Sequence, residues 1–498
     1  MLQETQEAEL FHEMDITEEE SSLSNISPLA DVEKAWLSHS ASSSTTYIPD
    51  EICTPSPTTK LYLESPFFER IPSREYIFWT IYRQLFSVVF IANLAVLIWI
   101  LVCDRSIVRV ADAAAANFLA CGLARQPLVV NGFFITLCSI HKSLPICLRR
   151  TAAKIYQYGG VHSGCGIASL LWYVALVVLM TREFCIAPTH TVISTISLVL
   201  SHVILVLLLA IIGVSYPAFR VRYHNTFELT HRYCTWVVIA LFLTLLIIFA
   251  KTVSSQSQSQ YLLHFPAFWC VCISALAVIQ PWTRLRKITV RAEVLSSHAL
   301  RLHLPGSTRF GKVISLSRNP LRDWHSFATF SDPESSQNVD SSFSLIVSRA
   351  GDWTSSIIAN PPTTLYTRGQ KTYGFTRVMR LFHRIVLVAT GSGIGPCLAF
   401  LAEKHKRPSM RLLWQTRAPA RTYGSEVLEL VHRLDPGPMI VDTDKCGRRV
   451  DLVPMIADIY HESQAEMVCV ISNQRLTEEV LYRLRSRGIA AMGPLFDS

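Results

Sequence analysis

Charge is scarce in this chain. Asp, Glu, Lys and Arg together make up 17% of its 498 residues, while 50% are hydrophobic. That balance leaves too little polar surface for an ordinary soluble enzyme. Strong net charge is lacking as well. The formal value is +8, and the basic residues gather beside apolar segments, which argues for membrane topology and against a nucleic-acid partner. The 13 cysteines are scattered with no C-x-x-C pair, so neither a zinc site nor a disulfide scaffold is indicated. Cys103 and Cys185 could lie outside a membrane together, which leaves a bridge between them open. The opening "MLQETQEAEL" is acidic rather than basic, so no signal peptide is expected. There is no internal repeat. Aromatics are sparse up to about residue 70, where "MDITEEESSLSN" and "ASSSTTYIPDEICTPSPTTK" cannot bury enough apolar surface to fold. A disordered cytosolic tail is expected over 1–70.

Long apolar runs are what the chain has in abundance. Residues 78–103, 164–181, 190–214, 233–250 and 262–282 suit the roughly 20 residues of a bilayer crossing. The second of six segments, 111–140, is less simple, because Arg125 and Asn131 fall near its middle. A charge at that depth should have a partner or face a cavity. The alternative is a break at Gln126-Pro127, with the first part at the interface and the span running from about 127 to 148. Basic residues concentrate in alternate loops: Lys142, Arg149, Arg150 and Lys154; Arg220, Arg222 and Arg232; Arg284, Arg286, Lys287 and Arg291. The positive-inside rule then places both termini in the cytosol. The expectation is a multi-pass protein of the lipid bilayer, with a six-helix transmembrane domain over 71–283.

Beyond 284 the pattern changes. "KITVRAEVL", "HALRLHL", "VISLS", "HSFATF" and "SFSLIVSR" read as short strands, a spacing that suggests a small antiparallel β-barrel over 284–380. From 381 to 498 strands at 384–390, 411–416, 438–442 and 467–472 alternate with helices at 396–405, 424–434, 451–460 and 476–487. This is the signature of a doubly wound α/β domain. Its first strand runs into Gly391-Ser392-Gly393-Ile394-Gly395-Pro396 and then a helical run. Glycines there let a backbone approach a diphosphate at a helix start. A G-x-G turn alone is weak; its placement between strand and helix is what a nucleotide site requires.

Two upstream motifs join it. In "RAGDWTSSI", Thr354 or Ser355 can cap a helix whose N-terminus offers N–H groups to phosphate. In "RDWHSFATF", His325 and Phe327 share one strand face, suited to stacking a flat ring. Taken singly, each motif reads more readily as ordinary structure, a core Phe and a surface His in the second case.

In this order the motifs resemble the ferredoxin-NADP reductase superfamily, and within it the membrane branch of ferric reductases and NADPH oxidases. The resemblance implies a flavin site at His325-Ser326-Phe327-Ala328. There His325 meets the ribityl or phosphate portion and Phe327 stacks on the isoalloxazine, while Ala328 replaces the usual hydroxyl residue. It implies a diphosphate turn at Gly351, Thr354 and Ser355. It implies that Arg417 of "WQTR", or Arg421, reads the 2′-phosphate of NADPH, and that Phe496, near the chain end, covers the flavin where nicotinamide enters. "YGGVHSGCG" (158–166), "YHNTFELTHR" (223–232), "WQTRAPARTYG" (414–424) and "GPLFDS" (493–498) are similar to one fungal group, the TmpA-like integral membrane proteins. Similar modules look fused to, or clustered with, adenylate-forming biosynthetic enzymes, which makes pathway enzymes candidate partners.

The flavocytochrome members of the branch stack two haems between two helices, each with histidines 13 or 14 residues apart. Here His162 and His231 open the third and fifth spans, but the positions that follow are Ala175 and Leu176, Thr244 and Leu245. None of them is an imidazole, so the two-haem wire is broken. His202 stands alone in the fourth span, and His190, 12 residues before it, falls about 120° off its face. One haem b between His162 and His231 remains open. The reading that follows is a membrane-bound NADPH- and FAD-dependent oxidoreductase with a small, lipophilic or secondary-metabolite electron acceptor. Its rivals are haem-dependent transmembrane electron transfer and a non-catalytic nucleotide sensor.

Overall fold

The computed structural model describes residues 80–253, 257–331, 342–403 and 407–494. The tail expected at 1–70 and Phe496 lie outside them. The N-terminal part is helical: α1 (Ile81–Cys103), α2 (Ile107–Leu123), α3 (Pro127–Leu137), α4 (Ile146–Ala153), α5 (Gly159–Ile186), α6 (Val192–Val214), α7 (His224–Val253) and α8 (Pro266–Ile279). The side chains of Thr80, Ser106 and Thr191 cap α1, α2 and α6, and Pro127 and Pro266 open α3 and α8, where a missing N–H costs nothing. Five helices are long and apolar enough to cross a bilayer; α2 and α3 make a sixth candidate only if counted together, and they are bent by 67°.

α5 packs on α2 and α6, α6 on α7, α7 on α8, and α8 on α2, so these helices close a ring, with α1 outside on α5. Tyr173 and Phe242 meet inside it, and Trp172 turns to α1, where its indole N–H donates to Asn93 at 2.9 Å; all three are almost wholly buried. The outward faces are also apolar: Val88, Ile91 and Trp99 of α1 and Val199, Val203 and Val206 of α6 are all exposed.

The break at Gln126-Pro127 is present, but the expected roles of its two halves are reversed. α2 is the half that packs inside the ring, whereas α3 leaves it and packs on the strand Thr372–Tyr373. Two polar side chains decide this. Gln126 Nε2 donates to the Ala277 carbonyl of α8 at 2.6 Å. Asn131 accepts from the Tyr373 N–H at 2.9 Å and donates to the Lys371 carbonyl at 3.2 Å. Asn131 is thus a docking residue rather than a mid-span one. The bridge left open between Cys103 and Cys185 is not formed; both are free, exposed thiols.

Two antiparallel sheets follow. One joins β1 (Arg286–Thr289), β8 (Thr364–Thr367), β4 (Lys312–Ser317) and β5 (His325–Ala328), with β9 (Thr372–Tyr373) also on β4; the other joins β2 (Arg291–Val294), β3 (Ala299–Pro305), β7 (Ser342–Ser348) and β6 (Phe330–Ser331). The strands expected at 287–295 and 325–330 each break in the middle. The chain crosses from one sheet to the other at buried Val290, whose N–H bonds the Thr363 carbonyl, and at buried Thr329, whose N–H bonds that of Lys312. These corners wrap the sheets around a shared core of Leu300, Leu302, Leu316, Leu345 and Leu365. β8 and β9 escaped the sequence reading because strands of four and two residues carry almost no alternation.

The C-terminal sheet is parallel, in the order β12 (Met439–Asp442), β11 (Ser409–Thr416), β10 (Arg384–Thr390), β13 (Met467–Ile471) and β14 (Ala491–Met492). The order reverses between β10 and β13, the switch point at which doubly wound sheets bind ligands. The helix expected at 396–405 is shorter and earlier. It is α10 (Ile394–Leu398), tightening into a 3-10 turn at Ala399–Ala402. The one expected at 424–434 begins at Pro419 and kinks at Gly424, where φ is +81°. α9 (Asp352–Ala359) packs on β7, and α11 (Pro419–Leu434), α12 (Leu452–Glu462) and α13 (Gln474–Ser486) follow in the parallel-sheet domain.

Bundle and sheets are bolted together. Arg149 of α4 makes two hydrogen bonds, 2.9 and 3.0 Å, to the Glu466 carboxylate and a third to the Leu381 carbonyl. Burial alone would raise the Glu466 carboxyl, but the Arg149 bonds and the His383 backbone N–H outweigh it and hold it down to about 2.

Candidate functional site

The glycine turn sits at the end of β10, at the switch point. Gly391 has φ +50°, a conformation that disfavours any side chain. The Trp414 indole N–H donates to its carbonyl at 2.9 Å, so the Trp of "WQTR" holds the turn. Gly393 answers a different need from the expected one. A Cβ there would lie 2.1 Å from the Ile471 carbonyl oxygen of β13. The position is glycine because turn and neighbouring strand nearly touch. Gly395 is permissive by comparison, with its nearest neighbour Ile346 Cβ at 3.5 Å. Ser392 is exposed and Pro396 half-buried. Cys397 is no nucleophile, since burial pushes its thiol up to about 12.

α10 packs against β5 and β6, which brings the glycine turn next to the strand of the second motif. On β5, His325 and Phe327 do share one face. Ser326 points the other way and bonds Ser315 Oγ at 2.9 Å. The shared face is covered by a residue the sequence reading passed over. Trp353, at the start of α9, stacks on His325 with ring centroids 4.3 Å apart and on Phe327 at 5.7 Å. His325 Nε2 and Trp353 Nε1 are both buried without a hydrogen-bond partner. Two orphaned polar atoms at one aromatic stack are uncommon. Burial, partly offset by Asp323, lowers the His325 pKa, so the ring is neutral at physiological pH. Thr354 does act at the turn before α9: its Oγ1 accepts from the Ala350 and Gly351 N–H groups at 2.9 and 3.0 Å. The Ser355 N–H bonds back to Gly351.

Arg417 and Arg421 lie at the carboxyl edge of the parallel sheet, where β11 runs into α11. Both are largely exposed and flank one carboxylate: Arg417 Nε is 3.4 Å and Arg421 3.3 Å from Asp444. Asp442 joins the two loops by accepting from the Ala418 and Asp444 N–H groups.

In the bundle, His162 and His231 face each other with ring centroids 6.3 Å apart. Each spends one nitrogen on its own surroundings. His162 Nδ1 bonds the Cys121 carbonyl at 2.9 Å, and His231 Nδ1 lies 3.2 Å from Ser215 Oγ. Both line a cavity of about 1060 Å³ that runs from the ring interior to α13 and Pro494. Deeper in, where a second ligand pair would sit, Leu176 and Leu245 are buried and Tyr173 meets Phe242 edge-on at 5.4 Å. Thr244 bonds its own helix at Ala240. His202 is exposed on α6 and bonded to Leu198, and His190 stacks on Phe184. Among the described residues no cluster of three or more His, Cys, Asp or Glu is placed to hold a metal ion.

The two regions meet at α7. Arg232 donates to the Arg322 carbonyl at 2.6 Å and Tyr233 to that of Leu321 at 2.7 Å, so the residue after His231 holds the loop entering β5. Trp324, Trp282 and Trp236 continue this seam in edge-to-face contacts, with the Arg368 guanidinium over the first two.

A family model described as the C-terminal domain of adenylate-forming reductase 03009 matches residues 375–498. The chain is 43% identical over 425 residues to Adenylate-forming reductase 03009 of Coprinopsis cinerea, covering 84% of this chain and 40% of that protein. It is 40% identical over 449 residues to Adenylate-forming reductase 06235 of the same organism, covering 88% and 42%. Its homologues are therefore fungal adenylate-forming reductases, and the chain spans about two fifths of their length. Among solved structures, a flavohemoglobin from Malassezia yamatoensis with bound FAD and heme aligns at TM-score 0.36 and 14% identity, over 82% of this chain and 99% of that one. The ferredoxin reductase of a carbazole 1,9a-dioxygenase aligns at TM-score 0.33 and 14% identity, over 43% and 70%.

Proposed function

We propose that this chain is a membrane-anchored NAD(P)H-dependent flavin oxidoreductase of the ferredoxin-NADP-reductase type, close to the fungal TmpA-like branch. The observation that carries the reading is the contact between two half-sites. The helix that the glycine turn opens, α10, packs on the strand whose His325–Phe327–Trp353 stack holds two unpartnered buried polar atoms. Those residues fit FAD, with Phe327 and Trp353 against the flavin ring and the turn from Gly351 to Ser355 toward its diphosphate. Gly391 to Pro396 face the NADPH diphosphate, and Arg417 and Arg421 its 2′-phosphate. When bound, FAD accepts a hydride from the nicotinamide and passes electrons on to an acceptor. The protein's own part is position: Trp414 fixes the turn, Thr354 fixes the start of α9, and neutral His325 offers a hydrogen bond without adding charge.

The five long apolar helices, with α2 packed among them, make up the bilayer domain. The segments carrying Arg149, Arg150 and Arg220 lie at the end that meets the reductase module, which supports a cytosolic side for that module by the positive-inside rule. The acceptor is a small apolar molecule. The partners are biosynthetic enzymes, because the matching portion of the homologues belongs to longer proteins named for adenylate formation.

A second reading concerns the cavity. Two imidazoles 6.3 Å apart, each with Nδ1 already bonded, would hold one haem b, since metal-bound histidines usually bond their other nitrogen in this way. The haem would supply one-electron chemistry at the module end of the bundle. One experiment tests both readings: absorption spectra of the detergent-purified protein before and after NADPH. Flavin bands that bleach on NADPH addition are expected, and a Soret band reports the haem. Protein that neither retains nor takes up FAD sinks the flavin reading.

A further inference from the structure

The break between α2 and α3 leaves Arg125 on the wall of the bundle cavity. It is exposed to that space and makes no hydrogen bond or ion pair with any described residue. Its guanidinium lies beside Gly159, 3.9 Å from where a Cβ would stand. Glu478 is the single carboxylate among the lining residues, and it accepts instead from Gln474 at 3.0 Å. An arginine does not shed its charge, and this one has no ion-pair partner among the described residues. A favourable interaction with the C-terminal end of α2 would hold on any side of that helix and does not explain why the side chain faces the cavity. The wall is mixed: Arg83, Arg220 and Arg485 also line it, each with interactions of its own, while Phe118, Leu170 and Ile239 give it apolar surface.

We propose that Arg125 is the carboxylate anchor of a ligand site inside the bundle. The ligand has an apolar body that fills the space beside His162 and His231 and a carboxylate that meets the guanidinium. Two sources share this chemistry: a haem propionate, or a free long-chain or aryl carboxylic acid. The inference rests on the cavity reading above and not on the flavin site.

The test uses the full chain in detergent micelles. Four probes are titrated: hemin, its dimethyl ester, 11-(dansylamino)undecanoic acid, and the methyl ester of that acid. In the wild type an acid should bind at least tenfold more tightly than its ester, the loss expected when a charge-assisted hydrogen bond is removed. Arg125→Gln should erase that preference, and Arg125→Lys should restore part of it. If hemin shows the preference, and purified protein carries a low-spin Soret band lost in His162→Ala, the source is haem. If the dansyl acid shows it in protein without haem, the source is a free acid. Equal binding of acids and esters by the wild type, or an unchanged preference in Arg125→Gln, overturns the proposal. The acid–ester comparison in the wild type decides the matter even if the glutamine variant fails to fold, and FAD content serves as the folding control. Loss of FAD from the wild type would count against the reductase reading alone.

Discussion

The two halves of this protein both bury apolar cores, but the helical part also turns many apolar residues outward. In the parallel sheet, β10 and β13 are apolar and buried almost from end to end, and polar groups are left to the strand ends. In the helical part, Leu, Ile and Val face outward as freely as inward, and the informative interior residues are polar: His162, His231, Arg125, Gln126, Ser169 and Ser274. A sheet in water gains by hiding apolar surface, whereas a helix in lipid gains nothing from doing so. The functional residues of the sheet domain are therefore sought where strands stop, and those of the bundle wherever a polar atom points in.

The largest effect expected from breaking this contrast is Gly393→Val. Its Cβ would collide with the Ile471 carbonyl oxygen, a backbone atom that cannot rotate away. The expected outcome is loss of folded α/β domain, by about 3 kcal/mol or more, seen as a lost thermal transition and lost NADPH oxidation. Gly395→Ala, with room at its Cβ, should keep both. If the valine variant melts like the parent, turn and strand are not in contact.

Arg149→Ala comes next. It strands a partly buried Glu466 and should cost about 3 kcal/mol, read as a new low-temperature transition or protease cleavage between bundle and module. An unchanged melting curve would mean the two regions do not depend on this bolt.

Arg417→Ala should weaken NADPH about tenfold and leave NADH unchanged, the share of one charge-assisted contact. Asp444→Asn should do the reverse, tightening NADPH a few-fold by removing a carboxylate from beside the phosphate. Equal loss of both cofactors in the alanine variant would make Arg417 structural.

The smallest effect is electrostatic. Burial lowers the Lys312 and Lys371 ammonium groups to about 8, well under the roughly 10.4 of an unfolded lysine. Between these values the unfolded chain binds more protons, so stability contributed by these groups rises with pH from about 8 to about 10. Lys312 also bonds Asn131 of α3 at 3.1 Å. Lys312→Met should flatten the parent's pH profile in urea titrations at pH 7.5 and 9.5; identical slopes would rule this pair out.

Much of the architecture was legible in the residues. Strand 384–390 was read to the residue, because seven apolar-rich positions end on a glycine turn. That Ala175, Leu176, Thr244 and Leu245 follow His162 and His231 on the same helix faces was read from spacing alone. His325 and Phe327 were placed on one strand face for the same reason. In each case the information lies within about a dozen neighbouring residues, the range over which backbone periodicity speaks.

The tertiary structure decided what depends on residues far apart in the chain. Trp353 covers the His325–Phe327 face because α9 folds back over β5. Gly393 is glycine because Ile471, in another strand, passes 2.1 Å from its missing Cβ. α2 rather than α3 stays in the ring because Gln126 and Asn131 bond Ala277 and Tyr373. Arg125 faces a cavity because of the bend those bonds enforce. Periodicity determines which face of an element is apolar. It carries no record of which partner that face will meet, and in this protein the partner is what gives Trp353, Gly393 and Arg125 their meaning.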